Sequence, residues 1–286
     1  TSLTNVTIPS GVTSIGDYAF YDCTGLTNVT ISDGVESIGS SAFNSCSALE
    51  SVTIGNGVTS IGYEAFTGCW ELRKVNVTDL TAWYKIDFGG GNCNPLSYAH
   101  NLYLNDTLVT ELVIPDGITE IKDYVFRGCQ SVTNITIPDN VTSIGYGAFR
   151  GCTEITSITI PDSVKTIGDY AFYACPIQTA TIPCIAIDSV SGSNLISVTL
   201  TSGDEIDGYA FRESPNLKSI IIPGSVWNID VNAFSFCTEL ESVKYGGTIE
   251  EWRKASFQNA HFVETNPESV TVTCTDGEVK GHFVKA

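Results

Sequence analysis

The chain has 286 residues, 42% hydrophobic and 16% charged, with a formal net charge of −18. That charge is spread along the whole length, so attraction to nucleic acid or to an anionic membrane surface is not expected, and a basic partner or plain solubility accounts for it better. No run of 18 apolar residues occurs, so direct membrane insertion is not expected either.

The first 23 residues set a pattern: Leu3, Val6, Ile8 and Pro9, then Val12, Ile15 and Gly16, then Ala19, Phe20 and Cys23. Val6 and Ile8 alternate with Asn5 and Thr7, the period of two expected for a strand with one buried face. Proline falls just past that strand here and at Pro115, Pro138, Pro161, Pro183 and Pro223, where its missing N–H costs the ladder little. A second short extended piece, Val12 to Ile15, leads to Gly16, which suits a tight turn with positive φ. Asp17 to Phe20 is too brief for an independent helix and is expected to form a helical turn packed by its phenylalanine.

The pattern recurs. Its phenylalanines stand at Phe20, Phe43, Phe66, Phe126, Phe149, Phe172, Phe211 and Phe234, and five of the seven intervals are 23 residues. The outward positions of the first strand run Asn5 and Thr7, Asn28 and Thr30, Ser51 and Thr53, Asn134 and Thr136, Ser157 and Thr159. These ten residues are the candidate ligand-binding surface, a hydroxyl and amide face with few charges. Alternation of Asn and Thr on that face also creates N-x-T sequons at Asn5, Asn28 and Asn134, which arise from strand patterning alone.

A period of 20–29 residues with leucine-like positions at i, i+3 and i+5 marks leucine-rich repeats, each unit one coil of a solenoid. The expected fold is mainly β with short helical turns: a curved leucine-rich-repeat solenoid with a parallel sheet on its concave face. A single coil cannot offset its own ordering entropy, so stability has to come from stacking.

Two departures interrupt the array. Between Phe66 and Phe126 the spacing is 60 residues, and the added stretch opens with Leu80, Trp83, Lys85, Ile86 and Phe88. Ile249, Trp252, Lys254, Ala255 and Phe257 repeat that arrangement near the C-terminus. Both suit a short amphipathic helix followed by an extended piece, Leu102–Asn105 in one copy and Val270–Cys274 in the other. The expected organisation is one solenoid over 1–286, with a non-repeat helix-loop-strand insertion at 78–108, an internal decoration, and a related C-terminal capping module at 247–286. Between Ile182 and Leu195 a further coil lacks the Ala-Phe turn.

Seven of the ten cysteines, Cys23, Cys46, Cys69, Cys129, Cys152, Cys175 and Cys237, share one repeat position. Side chains stacked in one direction bridge poorly, so a buried ladder of free thiols is expected. Cys93, Cys184 and Cys274 lie outside it, with their state open. Three histidines, His100, His261 and His282, lack a local constellation of recognised catalytic or metal-ligating spacing. No enzyme activity, metal or cofactor is expected.

The run Ile160-Pro161 through Val164, Ile167-Gly168, Ala171-Phe172 and Cys175 resembles the BspA-like leucine-rich repeats, also called the Treponema pallidum type. Trp83 through Asn94-Pro95-Leu96 and Gly247-Thr248-Ile249-Glu250-Glu251-Trp252 also look like modules of bacterial members. The resemblance implies a curved solenoid on secreted or cell-surface proteins of host-associated bacteria, some of which adhere to host matrix proteins or to other bacteria. It carries over no catalytic residue. The expected function is therefore a noncatalytic extracellular protein- or glycan-binding module, with a host or bacterial surface protein or glycan as partner. A structural stalk for another domain is the alternative, and an enzyme site in the 78–108 insertion a weaker third. The absence of methionine suits a chain whose native start, with any export signal, lies upstream.

Overall fold

The computed structural model describes residues 3–190, 194–230, 232–257 and 270–280. Two compact units comprise Thr1–Ile155 with Thr166–Cys175, and Thr156–Lys165 with Pro176–Ala286. Each is a parallel β-solenoid.

In the first unit the strands Asn5–Ile8, Asn28–Ile31, Ser51–Ile54, Lys74–Val77 and Leu102–Leu104 pair in parallel and in that order. Val6, Val29, Val52 and Val75 fall in one register row, so every inward side chain meets its repeat equivalent. A second column of two-residue strands, Ser14–Ile15, Ser37–Ile38, Ser60–Ile61 and Asp87–Phe88, runs alongside. Further along, Glu111–Val113 pairs with Asn134–Thr136, and Glu120–Ile121, Ser143–Ile144 and Thr166–Ile167 form another such column. In the second unit a seven-stranded sheet runs from Ser157–Thr159 through Thr179–Ile182, Ser197–Leu200, Ser219–Ile222 and Ser242–Tyr245 to Thr271–Cys274 and Gly277–Lys280.

The phenylalanines stack. Phe20, Phe43 and Phe66 form a column with ring centroids 5.1 and 5.2 Å apart, and Phe126, Phe149 and Phe172 a second with 5.6 and 5.2 Å. Phe211 and Phe234 repeat the arrangement in the second unit at 5.4 Å. Phe43, Phe66, Phe126, Phe149 and Phe211 are wholly buried.

The segment that places each phenylalanine is not a turn of helix, as its length predicted, but a chain of linked β-turns. In the first coil, the N–H groups of Ala19, Tyr21 and Cys23 bond to the carbonyls of Gly16, Tyr18 and Phe20. The residues two before and two after the phenylalanine lie in the left-handed region: Tyr18 at φ 57° and Asp22 at φ 56°, Ser41 at φ 53° and Ser45 at φ 63°. Alternating handedness turns every second N–H toward the next coil, so Tyr18, Phe20 and Asp22 donate to the carbonyls of Ser40, Ala42 and Asn44. Coil-to-coil hydrogen bonding thus continues through the turns, at positions where non-glycine residues tolerate an uncommon conformation.

The glycine column has a different cause from the positive φ expected of it. Gly16, Gly39, Gly62, Gly145 and Gly168 are absent from the positive-φ residues. A Cβ on Gly39 would sit 2.5 Å from the backbone nitrogen of Asp17, and one on Gly145 2.5 Å from that of Asp123. The column is glycine because the coil before it packs backbone against backbone.

All ten cysteines are free, and the ladder has a polar function as well as an apolar one. Cys46, Cys69, Cys152, Cys175 and Cys237 each donate an Sγ–H to the carbonyl of the phenylalanine one coil before, Phe20, Phe43, Phe126, Phe149 and Phe211, at 3.1 to 3.2 Å.

The 78–108 segment supplies strands to the stack instead of decorating it from outside. Its helix is confined to Leu80–Trp83, N-capped by Asp79; Asp87–Phe88 joins the second-strand column and Leu102–Leu104 the first. Tyr84 takes the place of a stacked phenylalanine, meeting Phe126 edge-on at 5.1 Å. The fully buried Asn94 donates to the carbonyls of Tyr124 and Val125 and accepts from the N–H of Leu96. The indole of Trp83 donates to Val125 at 3.0 Å.

The second copy follows the same plan. Helix Ile249–Phe257 opens with a reciprocal capping box, Thr248 N–H to Glu251 Oε2 at 2.8 Å and Glu251 N–H to Thr248 Oγ1 at 3.3 Å. Trp252 is buried against Tyr245 at 5.4 Å. In both copies the extended piece becomes the last parallel strand of a sheet, and a short antiparallel strand then folds back on it: Thr107–Leu108 on Leu102–Leu104, Gly277–Lys280 on Thr271–Cys274. Where the degenerate coil lacks its Ala-Phe turn, a 3₁₀ turn Cys184–Ala186 and a helix Ile187–Val190 fill in, with Ala186, Ile187 and Val190 buried.

Candidate functional site

The ten outward strand residues fall on three different sheets. Asn5, Thr7, Asn28, Thr30, Ser51 and Thr53 lie side by side in the six-stranded sheet. Asn134 and Thr136 lie beside Glu111 and Val113 in a two-stranded sheet, and Ser157 and Thr159 beside Thr179 and Thr181 in the seven-stranded one.

Within the first group the two rows differ. Asn28 Nδ2 donates to Asn5 Oδ1 at 2.9 Å, and Ser51 Oγ donates to Asn28 Oδ1 at 2.6 Å, so the amide row is satisfied by itself. The hydroxyls of Thr7, Thr30 and Thr53, spaced by the strand separation of about 4.8 Å, have no such bonds among the described residues. At Lys74–Val77 the rows end beneath the hairpin. Asn76 is buried, accepting from the N–H of Asp106 at 2.9 Å, and Lys74 pairs with the Asp106 carboxylate at 2.6 Å.

His100 closes helix Leu96–Ala99 at φ 61°, and its Nδ1 lies 3.0 Å from the Gly128 carbonyl; His261 and His282 lie outside the described residues. Burial pushes the thiols of Cys46, Cys93, Cys184 and Cys237 up to about 11 from an ordinary 9.0. These cysteines are poor nucleophiles at neutral pH. Among the described residues no group of three or more His, Cys, Asp or Glu could hold a metal ion, and no helix is long and apolar enough to cross a membrane.

A cleft escaped the strand-centred reading. Trp70, Tyr98, His100 and Gln130 line it, with Arg73 and Asn101 at its side. The signal was Trp70 itself, which follows a ladder cysteine at a position held by Thr24, Ser47 and Thr153 in other coils. Beside the phenylalanine turns, Tyr18, Tyr170 and Tyr209 are exposed, and Tyr124, Tyr146 and Tyr170 meet edge-to-face at 5.4 and 5.6 Å.

Stacked parallel coils with an in-register apolar interior define a parallel β-solenoid of the leucine-rich-repeat class. A family model described as BspA type Leucine rich repeat region matches six copies, over residues 1–90, 98–184 and 151–266, and the chain belongs to that family. No curated protein matches. Among solved structures, a leucine rich cell surface protein from Faecalibacterium prausnitzii is 23% identical, covering 90% of this chain and 91% of that one, with a TM-score of 0.31. A leucine-rich repeat protein from Eubacterium ventriosum is 20% identical over 96% and 87% of the two chains, with a TM-score of 0.47. The pneumococcal vaccine antigen PcpA is 16% identical over 92% and 89%, with a TM-score of 0.46.

Proposed function

We propose that this chain is a noncatalytic binding module that acts outside the cell, engaging a host or bacterial surface protein or glycan through the outward threonines of its parallel strands. The observation that carries this reading is the row Thr7, Thr30 and Thr53, exposed or half-buried and without hydrogen-bond partners among the described residues, beside an amide row that has satisfied its own bonds. Parallel rows of like groups suit a repetitive or extended ligand. They supply no convergent cluster of the kind a catalytic pocket needs. Membership in the BspA-type family supports an extracellular or cell-surface location.

The ten candidate residues include no Trp, Tyr or Arg, the usual hot-spot residues, so affinity per site is weak and binding relies on several coils at once. The test is an array of matrix proteins and glycans, probed with the wild type and with Thr53→Lys, Thr136→Lys, Thr159→Lys and Asn28→Ala. Thr53→Lys is expected to abolish capture of the ligand found and Asn28→Ala to weaken it little. A wild type that captures nothing, or a ligand retained by all three lysine variants, sinks the reading.

A further inference from the structure

We infer that the cleft beside Trp70 is a saccharide-binding site that accepts one or two residues of a neutral glycan. It is separate from the threonine rows and does not depend on them.

The cleft encloses about 510 Å³, within the usual range for small-ligand sites. Trp70 is 67% exposed, an unfavourable position for the largest apolar side chain unless something covers it. Its placement is nevertheless well defined. Tyr98 meets the indole edge-to-face, with centroids 5.6 Å apart and planes at 73°. Arg73 Nη1 donates to the carbonyl of Trp70 at 2.8 Å and to that of Leu72 at 3.1 Å, while Asn101 Nδ2 donates to the Arg73 carbonyl at 3.2 Å. The platform is therefore held before any ligand arrives, which lowers the ordering cost of binding.

Polar groups around the platform are left uncommitted. The Tyr98 hydroxyl and the Gln130 side-chain amide have no hydrogen-bond partner among the described residues, although Gln130 is anchored by its backbone N–H to the His100 carbonyl at 2.7 Å. The contact from His100 Nδ1 to Gly128 places the proton of the neutral ring on Nδ1 and leaves Nε2 as an acceptor. The cleft thus offers an aromatic face, a hydroxyl, an amide and an imidazole acceptor, a mixture of donors and acceptors like that of a pyranose.

Charge narrows the choice. The lining holds no carboxylate, and its one guanidinium, Arg73, is paired with Glu71 at 3.1 Å. A sugar ring presents weakly positive C–H bonds to the negative face of an aromatic ring and hydroxyls to the polar rim. A charged peptide side chain would meet no opposite charge left unpaired.

Saturation-transfer NMR, read on sugar protons, tests this with glucose, galactose, mannose, N-acetylglucosamine and their disaccharides. The wild type is expected to transfer saturation to the ring C–H protons of at least one of them. Trp70→Ala should weaken that binding by at least about tenfold with unchanged melting, because the side chain is exposed, and Gln130→Ala should weaken it less. Thr53→Lys should leave it intact, so that loss of the threonine-row reading and loss of this one are told apart. No transfer to any sugar of the panel overturns the inference, as does transfer undiminished in Trp70→Ala. Capture of a proline- and arginine-rich peptide at Trp70 without sugar binding overturns it too.

Discussion

At the scale of single residues, the repeat positions carry distinct physical duties, and two glycines of one column separate them. Gly16 has nothing within 4 Å of an added Cβ, whereas Gly145 would bring one to 2.5 Å from the Asp123 backbone. If the column were needed for backbone conformation, alanine would be harmful at both. Because contact is the cause, Gly145→Ala is expected to lower the melting temperature by an overpacking cost of about 1–3 kcal/mol, while Gly16→Ala leaves it unchanged or slightly raised. Equal shifts in differential scanning calorimetry would restore the conformational explanation. Phe43 is buried between Phe20 and Phe66, so Phe43→Ala is expected to cost about 3–5 kcal/mol. Thr30→Ala, on the outward row, should stay within about 0.5 kcal/mol of the wild type.

At the scale of elements, the coil was legible wherever its determinants are local. Alternation of Val and Ile with Asn and Thr marks the first strand, and the Phe interval marks the stack. The 78–108 segment was harder because Leu80, Trp83, Ile86 and Phe88 satisfy a helical period at their start and an alternating one at their end. The ladder decides between them: Asp87 and Gly89 donate to the carbonyls of Thr59 and Ile61 in the coil before, at 2.8 and 2.9 Å, drawing the chain out of helix after Trp83. The burial of Asn76 under Asp106 was likewise hidden, since its cause lies 30 residues along the chain. Asn94 shows how much one polar residue can govern an element. Its amide serves the Tyr124 and Val125 carbonyls and the Leu96 N–H with no exposure of its own. Asn94→Ala leaves those groups short of partners and is expected to cost about 1–3 kcal/mol. Hydrogen exchange should report it as faster exchange at Leu96. Unchanged protection there would mean that the segment is held by its apolar contacts alone.

At the scale of the molecule, the apolar interior sets an alkaline limit on stability. Burial raises the thiols of Cys46, Cys93, Cys184 and Cys237 from 9.0 to about 11, and it drives Cys69, Cys129 and Cys152 upward as well. Between those two pH values the unfolded chain has lost thiol protons that the folded chain still holds. The folded state binds more protons there, so stability must fall as pH rises. The contribution is fully present below pH 9.0 and is lost as pH climbs through about 11. Ionised thiols would add to a chain that already carries −18, so self-repulsion acts in the same direction. Urea midpoints measured across this window should therefore fall steadily. A Cys46→Ala, Cys237→Ala double variant, less stable at neutral pH for want of its Sγ–H bonds to Phe20 and Phe211, should show a shallower decline. A thiol reagent should label the buried members of the ladder, Cys46, Cys69, Cys129, Cys152 and Cys237, only in step with unfolding. Rapid labelling of those five in the native protein at neutral pH, with midpoints flat across the window, would mean that the cysteine column is open to water.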